Sequence, residues 1–154
     1  MELDELVSWI RSNLADVHVV VASEENGAPE GSWGDVFVMH DVPADTHAGF
    51  PFATIVTQDQ PGFDDRSRLD RAGAFRVNFQ VGRKRAAELL GRPPPRSDPD
   101  DVDFAEADRL LPHPVYSPQG YVSVVNPGDA TTELVCQLLQ EAHARSHARL
   151  RKRM

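Results

Sequence analysis

The chain has 154 residues, 40% of them hydrophobic and 26% charged, with a formal net charge of −8. That length suits a single domain over 1–154 with a core large enough to fold without staples. The acidic balance opposes nonspecific attraction to phosphates or anionic lipid, and a lone cysteine, Cys136, excludes an internal disulfide.

The amino end, "MELDELVSWIRSNL", lacks the basic start and long apolar run of a signal peptide. No stretch approaches the roughly 18 apolar residues that a bilayer span needs, so a cytoplasmic protein with no membrane contact is expected. Leu3, Leu6, Val7, Ile10 and Leu14 recur at helical spacing and predict a first amphipathic helix. "DVHVVVASE" predicts a strand, and "NGAPEGS" a turn into a second strand, "WGDVFVMHD". In that strand Asp35, Phe37 and Met39 share one side, with Val36, Val38 and His40 on the other. "VPADTHAG" reads as the next turn, and "FPFATIVTQ" as an interior strand, apolar on both faces.

The loop "DQPGFDDRSRLDRAG" is long for a hairpin connection. It leads into a fourth strand that buries Phe75, Val77, Phe79 and Val81 and turns Arg76, Asn78 and Gln80 the other way. "RKRAAELLG" predicts a short helix closed by Gly91, and "RPPPRSDPDD" a mobile surface linker over about 92–101. "DFAEADRLL" predicts a further helical turn or two, "PHPVYSP" an extended bridge, and "YVSVVNP" a fifth strand. A last helix, N-capped near Asp129, buries Leu134, Val135, Leu138, Leu139 and Ala142, and Cys136 among them reads as an inert core thiol. It ends in a basic tail over 145–154.

Four strands in succession, with helices at both ends, predict an α+β two-layer sandwich. Its sheet is mainly antiparallel, of about five strands, with the terminal helices on one face. A doubly wound parallel sheet is not expected, because no helix separates the first four strands.

No phosphate loop, paired-cysteine motif or nucleophile elbow is present, and no cofactor is expected. His143 and His147 lie four apart on one helix, but without the glutamate of a zinc-protease pattern they read as a helix face rather than a metal site. The first candidate site is Arg68, Asp70, Arg71, Arg76 and Asn78, where guanidinium forks could grip a carboxylate or phosphate. The same letters also describe an Arg–Asp network that only ties the loop to the sheet. His113 and Tyr116 form a second candidate, as a proton-transfer group and a phenol in a stiff segment, or as a packed pair. Trp33 and Asp35 form a third, with rim packing as the alternative.

The segments "SWGDVFV", "PFATIVTQDQPGFDDRSRLDRAGAFRVNFQVG" and "HPVYSPQGYVSVVNP" resemble an uncharacterised domain-of-unknown-function family found mainly in actinobacteria. The chain departs from that family's pattern at Ala72, where proline is usual, and at Tyr121, where tryptophan is usual. More loosely, the strand order and the carboxy-terminal "GYVSVVNPGDATTELVCQLLQEAH" resemble the MmcQ/YjbR-like proteins, whose fold is related to frataxin and CyaY. Some of those are double-wing DNA-binding domains, a role the acidic balance here argues against. The reading that results is a noncatalytic binding module for a small anion or an acidic partner group. Nucleic-acid binding through the basic tail and the arginine loop is the first alternative, and an enzyme using His113 with Asp35 or Asp70 is the second. An exposed sheet face or edge would also allow a homodimer.

Overall fold

The computed structural model describes residues 1–42, 51–93 and 101–153. Six antiparallel strands form one sheet in the order β1-β2-β3-β4-β6-β5: β1 Val17–Val21, β2 Val36–His40, β3 Ala53–Val56, β4 Arg76–Gln80, β5 Leu110–Pro112 and β6 Tyr121–Val125. Helices α1 (Leu3–Asn13) and α3 (Thr132–Arg153) pack with α2 (Arg83–Leu90) against one face. Among the described residues no helix is long and apolar enough to cross a membrane.

The strand registers explain the two layers. Val36, Ile55, Val77, Val124 and Leu110 lie side by side across five strands, as do Val38, Ala53, Phe79, Val122 and Pro112. These rows are the sheet's half of the core. Leu6 and Ile10 of α1 and Val135, Leu138, Leu139 and Ala142 of α3 cover them with no exposed surface. Between the two rows runs a third, Phe37, Thr54, Asn78, Ser123 and Leu111, which faces the opposite side. Period-two alternation thus gives an oily face under the helices and a polar face away from them.

Helix α1 starts with the Glu5 carboxylate accepting the Glu2 N–H, a reciprocal start typical of a capping box. Helix α2 ends at Gly91 in the left-handed conformation, as its sequence predicts. All but the first residue of the predicted turn over 42–49, and most of the linker over 92–101, lie outside the described residues.

Three local expectations are corrected. "DFAEADRLL" forms no helix; Asp108 adopts φ 58°, and the chain joins the sheet as β5 at Leu110, giving six strands rather than five. The reason is long-range: the Asp108 carboxylate accepts the N–H groups of Gly128, Ala130 and Thr131 and the Thr131 hydroxyl. Helix α3 begins at Thr132, with the Thr131 carbonyl accepting its first bond from Val135, two residues later than an N-cap at Asp129 would place it, and Asp108 fastens the turn that leads in. "PHPVYSP" is extended only at its first proline. Its remainder turns back and enters a 3-10 helix over Ser117–Gln119.

Candidate functional site

The polar face of the sheet is built around Arg76, a residue with 1% of its surface exposed. An unpaired buried guanidinium would be costly, and this one is held on several sides. Nη1 and Nη2 donate to the two oxygens of Asp64 at 2.9 and 2.6 Å. Nη1 also donates to Ser67 Oγ, and Nε donates to Asn78 Oδ1. Asn78 in turn accepts from Ser123 Oγ and donates to Thr54 Oγ1. Burial alone would raise the Asp64 carboxyl, but the two bonds and the charge of Arg76 outweigh it and hold it below the ordinary 3.8.

His113 closes this network from β5. Its Nδ1 accepts the N–H groups of Val115 and Tyr116 at 3.0 and 2.9 Å, which is what bends the proline-rich segment back. Its Nε2 faces Arg76 Nη2 at 3.3 Å. Burial and the neighbouring Arg76 charge push the imidazole down to about 3, with Asp64 opposing in part, so the ring is neutral at pH 7. Asp35 enters from the other end of the face. Its Oδ1 accepts both the backbone N–H and the hydroxyl of Thr57, at 2.8 and 3.1 Å. Burial raises its carboxyl above 3.8 despite those bonds and the Arg76 charge.

Over this floor stands an aromatic rim. The ring of His113 is 5.1 Å from Tyr116 and 5.8 Å from Tyr121, and Tyr116 is 6.2 Å from Phe63. Phe63 is 59% exposed and Tyr116 42%, unusual for large apolar side chains lying together. Between rim and floor lies a cleft of about 590 Å³, bordered also by Phe37, Pro51, Val56 and Gln119. Its size is that of a small-molecule site, mostly apolar with a few fixed polar groups.

The family of unknown function DUF6194 matches this chain over residues 1–154. The chain belongs to that family. No curated protein and no solved structure matches it.

Of the nine site residues predicted from sequence in this DUF6194 chain, Arg76, Asn78, His113, Tyr116 and Asp35 border the cleft. Arg68, Asp70, Arg71 and Trp33 do not. Arg71 instead donates to the carbonyls of Ser67, Arg68 and Ala105, fastening the long loop to the segment before β5. Arg68 and Asp70 point to solvent, and Arg68 adopts φ 51°. Trp33 lies on the rim of the β1–β2 turn, its indole N–H bonded to the Ala28 carbonyl. Asp64, Phe63 and Tyr121 complete the site without having been singled out. Tyr121 carries a signal in the alternation of β6, where it shares its face with Ser123. Asp64 carries none, since nothing in "GFDDRS" distinguishes it from Asp65.

His143 and His147 lie on the opposite, helical face, with their ring centres 4.9 and 5.6 Å from His40. Among the described residues no group of His, Cys, Asp or Glu is disposed to hold a metal ion.

Proposed function

We propose that this chain is a noncatalytic binding module whose ligand lies in the cleft between the Phe63–Tyr116–Tyr121 rim and the floor around Arg76. The observation that carries this reading is the rim itself. Two largely exposed aromatic rings flank a cleft whose floor is a nearly saturated hydrogen-bond network, an arrangement that favours holding a flat apolar body.

The floor also bears on the ligand's charge. Asp64 already offsets the Arg76 guanidinium, and four of its five N–H groups are engaged by Asp64, Ser67 and Asn78. Arg71 is spent on backbone carbonyls. Support therefore moves from the anion expected from sequence to a neutral small molecule. Catalysis through His113 finds less support. A carboxylate orients a histidine by accepting its Nδ1–H, and here Nδ1 is itself the acceptor of two backbone N–H groups.

A neutral aromatic fragment library screened by amide and aromatic NMR tests the proposal. Hits should cluster at Phe63, Tyr116, Tyr121 and Asn78. Phe63→Ala and Tyr116→Ala should each weaken those hits at least several-fold while leaving the melting temperature within about 2 °C, because both side chains are largely exposed. Hits spread over the surface, or unaffected by both substitutions, would refute the cleft as the binding site.

A further inference from the structure

The hydrogen bonds of His113 fix where its proton must be. Nδ1 accepts from two backbone N–H groups, so it carries no hydrogen. Turning the ring over would set a C–H against both amides and leave them without an acceptor. A neutral imidazole has one N–H, which is therefore on Nε2. Yet Nε2 faces Arg76 Nη2 at 3.3 Å, and a guanidinium can only donate. Two donors on almost fully buried side chains thus face one another, Arg76 being 1% exposed and His113 3%. Buried donors left unpaired cost free energy, so the pair calls for a shared acceptor.

Across the same cleft Asp35 presents the converse. Thr57 occupies Oδ1, and Oδ2 makes no hydrogen bond among the described residues.

We infer that the cleft takes a flat, neutral, carbonyl-bearing molecule whose oxygen accepts from His113 Nε2–H and Arg76 Nη2 together, with an N–H or O–H available to Asp35. The inference rests on the binding reading above and specifies the ligand's chemistry. A neutral carbonyl fits better than a carboxylate because Asp64 already balances the guanidinium and Asp35 adds a further acid to the wall. A ligand lacking an acceptor would leave both donors unmet, and such a site rejects it strongly.

Three probes of similar size separate the possibilities when titrated into the full chain and followed by NMR. Oxindole carries a carbonyl and an N–H, indole carries the N–H alone, and indole-3-carboxylate is an anion. Oxindole should bind at least about tenfold more tightly than either, the scale of one or two buried hydrogen bonds. It should also shift the His113 Nε2–H resonance. His113→Phe keeps a ring and removes the donor, and should abolish the preference. If that variant does not fold, the three-probe comparison on the unsubstituted chain decides alone. Equal binding by oxindole and indole, or tightest binding by the carboxylate, overturns the carbonyl assignment while leaving the cleft a binding site. Should none of the three perturb Phe63 or Tyr116 at millimolar concentration, the carbonyl assignment falls together with the cleft reading.

Discussion

Arg76 shows how one residue can be read from sequence for its position and not for its partner. The alternation Phe75, Arg76, Val77, Asn78, Phe79 places it on the polar face, and it lies there. Which carboxylate meets it depends on how the long loop folds over the sheet. Asp59 accepts the Leu69 N–H, Asp65 accepts the Gly62 N–H, and Asp70 points to solvent, leaving Asp64 for the guanidinium. No local rule separates these four acids. The pairing makes a specific energetic demand. Replacing Arg76→Met leaves the largely buried Asp64 carboxylate without its hydrogen-bonded guanidinium, and should lower the unfolding free energy by about 3–5 kcal/mol. Adding Asp64→Leu should recover most of that loss, because an apolar pair of similar volume can equal a buried ion pair. Urea unfolding of the two single variants and the double variant measures the coupling, and additive losses would contradict the network.

At the scale of elements, the strands with plain period-two alternation were legible, and so were the helices with apolar stripes. The segment from Asp103 to Gly120 was not, because distant partners determine it. Asp108 leaves helical geometry to gather the Gly128 and Thr131 N–H groups and the Thr131 hydroxyl, in the turn that leads into α3. Those bonds, led by the Thr131 hydroxyl and the Gly128 N–H, hold its carboxyl down at about 2. Asp108→Ala should lower the urea midpoint with an unchanged denaturant slope, because it frees the turn that leads into α3. An unchanged midpoint would mean that this turn holds without Asp108. Gly120 makes a second point of the same kind. It holds φ +87°, and a Cβ there would stand 2.4 Å from the Gly82 carbonyl carbon. Because the Val81 and Gly82 N–H groups also bond its carbonyl, the β4 end and the β5–β6 turn meet at a point with no room for a side chain. Gly120→Ala should therefore destabilise by more than about 1 kcal/mol and disturb the Tyr121 and His113 resonances before those of α1.

The whole molecule carries an acid sensitivity that follows from the buried imidazoles of His40 and His113. Burial and the nearby His143 and His147 push His40 down to about 4, and His113 is down at about 3. Between the ordinary 6.5 and those values the unfolded chain takes up protons that the folded chain refuses. Stability is therefore fullest above about 6.5 and falls as the pH drops towards 4 and then 3. Asp64 and Asp108, both held below the ordinary 3.8, add a further loss under that value. The urea midpoint should decline clearly from pH 7.5 to pH 4.5, whereas a flat midpoint over that range would contradict the burial of both rings.

The floor of the cleft depends on the same neutrality. A long-range proton–nitrogen NMR spectrum of the ligand-free chain at pH 7 reports the protonation of each ring nitrogen of His113 directly. The expected result is a neutral ring with its hydrogen on Nε2, unchanged at pH 5. A hydrogen on Nδ1, or a doubly protonated ring at pH 7, would contradict it.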